Sequence, residues 1–312
     1  MAESLSVDSE VGDLPVPSAN YGSESASLQQ MKSHTASLLQ KYNDFNARTY
    51  QSADVRSRDL PLLGRTDTML VLTMAYFAFL AFGPRFMKHR KPIELKAFKG
   101  VYNFCLVLLS LWMFLELFIH TQRSGYNFFC IPYTVSYAPA DLRIVYALYI
   151  YYVSKAVEFL DTVFMILKKK YKQITFLHVY HHAVMFPLWY FVMMEAPCCQ
   201  AVLGAMLNCL IHVFMYAYYF LSMFPALHPY LWWKKYLTMG QLAQFACVLT
   251  CTTVSLIRGC DYPAWLAWLQ MGFLSSLFVL FANFYVQAYI KRRHQRHNPP
   301  PATKDSIHDK NL

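Results

Sequence analysis

Long apolar runs separated by short, mostly basic connections occupy the chain from residue 61 to residue 290. A helix rises about 1.5 Å per residue, so roughly 20 helical residues cross a hydrocarbon core. Seven runs qualify as spans: 66–82, 101–120, 142–167, 174–191, 202–224, 237–257 and 264–288. The fourth is short and holds Pro187. The pattern predicts an all-α integral membrane protein with seven transmembrane helices.

Positive loops stay cytoplasmic, and with seven spans the loops must alternate. One side then receives Arg85, Lys88, Arg90, Lys91, Lys96 and Lys99, next Lys168, Lys169, Lys170 and Lys172, then Lys234 and Lys235, and the tail from Lys291. The other receives Arg123, Arg143 and Arg258, apart from the N-terminal segment. This asymmetry places the C-terminus in the cytosol and the N-terminus on the opposite side.

Outside the membrane domain, 61–290, the pattern changes. Residues 1–60 are Ser-rich and polar, lack an apolar signal core and show no convincing helical repeat, so they read as disordered or loosely attached. Residues 291–312 begin with Lys291, Arg292 and Arg293 and turn Pro-rich, which predicts an extended cytosolic tail.

Composition agrees with a membrane protein: 56% of residues are hydrophobic, 17% aromatic and only 15% charged. The net charge of +10 resides in loop clusters, without the basic stripe and stacking aromatics of a nucleic-acid surface, so no nucleic acid is expected as a partner. None of the eight cysteines forms a Cys-x-x-Cys pair. Cys130, in the loop between spans two and three, and Cys260, between spans six and seven, both fall on the non-cytosolic side, where a disulfide can persist. Cys198 and Cys199 lie on that side too.

Strongly polar side chains at membrane depth normally face a protein interior or cavity. Four groups occur here. Lys155, Glu158, Asp161 and Thr162 follow three- and four-residue steps along one helical face; Lys155 and Glu158 can pair, as a structural ion pair or as part of a site. His178, His181 and His182 bring three imidazoles to one patch. Asn208, His212, Met215, Tyr216 and Tyr219 form a stripe that is core by its aromatics and site-like by Asn208 and His212. Thr238, Gln241 and Gln244 fit interhelical hydrogen bonding equally well. Counted from the cytosolic span ends, these groups lie roughly 6 to 18 Å deep, a layer that implies a cavity entered from the cytosol.

Clustered histidines serve either metal-assisted redox chemistry or nucleophilic and acid/base catalysis. The metal alternative is a histidine-box desaturase or hydroxylase of the membrane. Of the eleven histidines, only His178, His181, His182 and His212 lie at membrane depth, too few for a di-iron centre, which leaves a single metal ion as the metal alternative. A receptor has no need of three clustered histidines, and a transporter would carry repeats that this chain lacks.

Lys155-x-x-Glu158-x-x-Asp161-Thr162, His178-x-x-His181-His182, Asn208-x-x-x-His212-x-x-Met215-Tyr216 and Thr238-x-x-Gln241-x-x-Gln244 resemble, in order, the four signatures of the very-long-chain fatty-acid elongases. The resemblance runs from about residue 61 to residue 291. It implies a 3-ketoacyl-CoA synthase of the endoplasmic reticulum membrane that condenses acyl-CoA with malonyl-CoA, releasing CO2 and CoA. Spans two to seven, six of the seven helices, would ring an acyl tunnel. His181 is expected as nucleophile, forming a histidine-linked acyl intermediate. His178 and His182 would orient it or move protons, Asp161 would orient the cluster, and His212, Asn208 and the glutamines would serve developing oxyanions. Lys155, Glu158, Tyr216, Gln241 and Gln244 are further substrate-side candidates, and Lys172, Lys234 and Arg292 would meet CoA phosphates. No metal and no cofactor beyond the two CoA substrates is expected. Membrane lipid, the reductase and dehydratase enzymes of the elongation cycle, and a homo- or hetero-dimer partner complete the implied contacts. Gln173 and Tyr180 resemble elongases of very long or polyunsaturated chains. Two features depart from the family: a single lysine, Lys310, near the C-terminus, and no Asn-x-Ser/Thr sequon.

Overall fold

The computed structural model describes residues 21–291. Among them it contains nine α-helices and no strand: α1 (Tyr21–Ser52), α2 (Thr66–Met87), α3 (Lys96–Arg123), α4 (Pro139–Val157), α5 (Phe159–Leu167), α6 (Phe176–Glu195), α7 (Ala201–Leu221), α8 (Lys234–Ile257) and α9 (Ala264–Tyr285). Two compact units divide the chain, one ending at Arg48 and one beginning at Thr49.

The first unit holds most of α1, where the sequence was expected to be disordered. Its helix rests on local propensity, from Leu, Gln, Lys, Ala and Met, rather than on an apolar stripe. Ser33 and Thr35 donate their hydroxyls to the carbonyls of Gln30 (3.0 Å) and Met31 (2.8 Å). A helix made this way leaves no periodicity for hydrophobic patterning to detect.

In the second unit, five helices are long and apolar enough to cross a membrane: α2, α3, α7, α8 and the run Ala264–Lys291, which continues α9. The third and fourth predicted spans are not in that set. The third is divided at Glu158 into α4 and α5, and the fourth, α6, carries three imidazoles and Pro187.

Helix neighbours form a closed cycle, α3 to α4 to α6 to α9 to α8 to α7 and back to α3, while α2 packs outside it on α5 and α6. Large side chains fill the interior; Tyr151, Tyr152, Phe186, Tyr190 and Met193 are all buried.

At one end, connecting segments lock together. Asp54 accepts two hydrogen bonds from Arg56 Nε and one from Nη2 (2.6 Å), Tyr133 donates to the same carboxylate (2.9 Å), and Arg56 reaches the carbonyls of Ser136 and Pro197. Gln200 joins its two amide ends to Ile131 N (3.0 Å) and Phe128 O (2.8 Å). A disulfide joins Cys130 to Cys260, with Cα atoms 5.7 Å apart. Gly64 turns the chain into α2 with φ +76°, and a Cβ there would lie 2.6 Å from Arg58 O.

Candidate active site

The histidine patch owes its position to the start of α6. Thr175 caps the helix, its hydroxyl accepting from the His178 backbone N–H at 3.3 Å, so that all three histidines fall in the first two turns. The His178 and His182 rings lie 4.5 Å apart, and those of His181 and His182 5.2 Å. Thr162 Oγ1 is 2.7 Å from His178 Nε2, and the Tyr76 hydroxyl is 3.3 Å from the same Thr162 oxygen. His181 stacks near Phe273, and its Nδ1 is buried without a hydrogen-bond partner.

A second cluster sits where α4 breaks into α5. Lys155 Nζ donates to Glu158 Oε1 (2.7 Å) and to Asn208 Oδ1 (3.3 Å), Tyr151 donates to the same amide oxygen (2.7 Å), and His212 Nδ1 lies 3.4 Å from Glu158 Oε1. Lys155 and Glu158 are almost completely buried, so each charge depends on the other and on the amide and imidazole from α7.

A narrow cavity of about 40 Å³ touches both clusters. Tyr151, His181, Asn208 and Gln244 form one part of its wall. Most of the remainder is apolar, including Met185, Leu188, Trp189, Val248, Leu274 and Leu277, with Gln270 as a further amide. Gln244 Oε1 is buried with no hydrogen-bond partner. The slot therefore places one imidazole and two side-chain amides at a wall whose continuation suits a hydrocarbon chain.

Not every predicted residue converges there. Asp161 turns away from the imidazoles: its Oδ2 accepts from the Tyr216 hydroxyl at 3.0 Å, and the residue that bonds His178 is its neighbour Thr162. Tyr216 belongs to a packing cluster with Tyr102, Leu106 and Phe164, and neither it nor Asp161 lines the cavity. Gln241, one turn before Gln244, is half-buried and also off the cavity wall. Lys172 is exposed on the short turn Tyr171–Gln173, and Lys234 is exposed at the start of α8, its Nζ 5.7 Å from the Tyr218 ring. Arg292 lies outside the described residues. Among the described residues, no three His, Cys, Asp or Glu side chains are placed to share a metal ion.

Three participants were missed in the sequence. Tyr151 precedes Lys155 by one helical turn, so the polar stripe on α4 extends back to it. Gln270 is an amide at membrane depth in α9, donating to Thr252 at 3.3 Å. Tyr76 sits alone among apolar neighbours of α2 and carried no signal.

Membrane-length apolar helices, with no strand among the described residues, and an imidazole at the wall of a largely apolar slot mark a membrane protein. Residues 61–297 match the GNS1/SUR4 family (ELO), and the chain belongs to it. It is 44% identical over 250 residues to very long chain fatty acid elongase 5 of Tachysurus fulvidraco, covering 78% of this chain and 85% of that protein. Elongase 5 of Xenopus tropicalis is 46% identical over 243 residues (78% and 82%), and very long chain fatty acid elongase 2 of Mus musculus 42% over 250 residues (80% and 85%).

Proposed function

We propose that this chain is a 3-ketoacyl-CoA synthase that condenses a long- or very-long-chain acyl-CoA, polyunsaturated chains included, with malonyl-CoA. Family membership and the elongase names of its relatives support the reaction class. The observation that carries the site is His181, whose imidazole forms part of the wall of an apolar slot beside Asn208 and Gln244.

The chemistry runs in two halves. An unprotonated nitrogen of His181 attacks the thioester carbon, the C–S bond breaks, and CoA leaves as thiolate, taking the proton released from the imidazole. Malonyl-CoA then loses CO2, and its enolate carbon attacks the acyl-imidazole to form the new C–C bond, expelling His181 as it regains a proton. The net reaction consumes one proton and releases CO2 and CoA. Neutral imidazole suits both halves, being nucleophilic near pH 7 and a good leaving group. Amide N–H groups of Asn208 and Gln244 are the donors nearest to the developing oxyanions, while His178 and His182 orient the nucleophile or move its proton. Lys155, Glu158 and His212 hold Asn208 and the broken helix in register. The reaction takes no metal or other cofactor.

In the same reading α4 and α5 together form one span and α6 another, giving seven, and the slot is the described part of an acyl tunnel within the cycle of six. The C-terminus and the basic loops face the cytosol, where Lys172, Lys234 and Arg292 meet CoA phosphates, and the disulfide faces the lumen of the endoplasmic reticulum. Reductase and dehydratase enzymes take the product onward, and the enzyme works within lipid, alone or as a dimer. Microsomes expressing the chain, given radiolabelled malonyl-CoA and a panel of acyl-CoAs, should form 3-ketoacyl products two carbons longer. Absence of incorporation with every acyl-CoA would remove the proposal.

A further inference from the structure

Tyr76 belongs to α2, the helix outside the cycle, yet it is buried at 4% exposure and its hydroxyl points inward to Thr162. Its ring stacks on Phe159 with centroids 4.5 Å apart, which fixes where the hydroxyl can reach. The chain of groups is short: Tyr76 OH to Thr162 Oγ1 at 3.3 Å, and Thr162 Oγ1 to His178 Nε2 at 2.7 Å. Thr162 is fully buried, so its hydroxyl has little access to water.

We propose that Tyr76 is a positioning residue of the condensation reaction, setting through Thr162 which nitrogen of His178 carries the proton. The proposal rests on the histidine-based reading above. A hydroxyl chain can run in two directions, and each fixes one imidazole tautomer. A phenol, with pKa near 10, is a stronger donor than an aliphatic alcohol, so the favoured direction has Tyr76 donating to Thr162 and Thr162 donating to His178 Nε2. His178 Nε2 is then the acceptor and Nδ1 carries the hydrogen, on a ring 4.5 Å from that of His182. Removing the phenol hydroxyl frees Thr162 to run the chain the other way, and the His178 proton can move to Nε2. The imidazole beside the nucleophile's neighbour would then present an acceptor where a donor stood.

Tyr76→Phe keeps the ring and its stacking on Phe159, so the variant removes only the hydroxyl. The expected result is a fall of about 3- to 10-fold in kcat, the worth of one hydrogen bond, with KM for both CoA substrates unchanged. Nitrogen-15 spectra of histidine-labelled protein in nanodiscs should show His178 protonated on Nδ1 in the parent and a changed tautomer ratio in the variant. Thr162→Val should show the same effects, and Thr162→Ser, which keeps the hydroxyl, should restore them. Should Tyr76→Phe fail to fold, the Thr162→Val and Thr162→Ser pair gives the same readouts. Parent-like kcat and tautomer in Tyr76→Phe, or an equal loss in Thr162→Ser and Thr162→Val, would overturn the proposal. CoA release from acyl-CoA alone by the parent protein separates the two levels. If it fails, the covalent reading falls, while the His178 tautomer still decides the role of Tyr76.

Discussion

His212 places Nδ1 3.4 Å from the Glu158 oxygen that Lys155 holds at 2.7 Å, so an imidazole from α7 closes an ion pair at the break between α4 and α5. The carboxylate and the ammonium are both almost completely buried. Removing one leaves the other without its counter-charge, which costs about 3 to 5 kcal/mol, whereas replacing both by apolar groups of similar size costs far less. Glu158→Gln and Lys155→Met should therefore each lower the apparent Tm in detergent more than the double change of Lys155→Met with Glu158→Leu. A double variant less stable than either single would show that the pair contributes net stability.

The disulfide between Cys130 and Cys260 closes a sequence separation of 130 residues. By loop entropy such a closure contributes about 4 to 5 kcal/mol. Cys130→Ser should lower the apparent Tm and expose a thiol at Cys260 that alkylates without reductant. Alkylation of both cysteines in the unreduced parent protein would contradict the pairing.

Asp54 gives the protein an acid-sensitive lock. Burial raises its pKa, but the hydrogen bonds and charge of Arg56, with help from Tyr133, outweigh burial and hold the carboxyl below its ordinary value. A depressed folded-state pKa contributes stability that is present above the unfolded value near 4 and is lost as pH falls through the folded value. Tm measured between about pH 2 and pH 5 should fall with acid in the parent and fall less in Asp54→Asn. At neutral pH the variant should already be destabilised, because Arg56 is left buried without its partner. Parallel Tm curves for the two proteins would assign the acid sensitivity to other carboxylates.

Gly204 lines the cavity, and a Cβ there would meet Val248 Cγ1 at 3.6 Å and Gln270 Nε2 at 3.8 Å, ordinary contact distances. Gly204→Ala should be accepted with little change in activity. Gly204→Leu should obstruct the slot and shift the acyl-CoA preference to shorter chains in the panel assay. An unchanged length profile in Gly204→Leu would place the acyl chain elsewhere.

The sequence made the site more legible than the topology. Three- and four-residue steps carried Lys155 with Glu158, Asn208 with His212, and the histidine patch, because helical geometry turns such spacings directly into shared faces. Gln244 and Gln241 sit on one stripe, yet only Gln244 reaches the cavity, and no spacing distinguishes neighbouring turns of a face by what packs opposite. Periodicity placed Asp161 on the face of Lys155 and Glu158, and the resemblance made it an orienter of the imidazoles, but its carboxylate accepts from the Tyr216 hydroxyl on α7. The helix over Tyr21–Ser52 was missed since its propensity is local and its faces are polar. Tyr76 was invisible for the opposite reason, an aromatic among aromatics whose hydroxyl meets Thr162 only across the helix pair.

His181, at the slot wall beside Asn208 and Gln244, is the proposed acceptor of the acyl chain. Purified protein incubated with acyl-CoA and no malonyl-CoA, followed by mass spectrometry of the proteolysed chain, tests it most directly. Stoichiometric release of CoA and an acyl mass on the peptide that contains His181 are expected, both abolished in His181→Ala, with the adduct discharged by adding malonyl-CoA. Release and labelling that persist in His181→Ala, or turnover by the parent without any adduct or CoA release before malonyl-CoA is added, would contradict it.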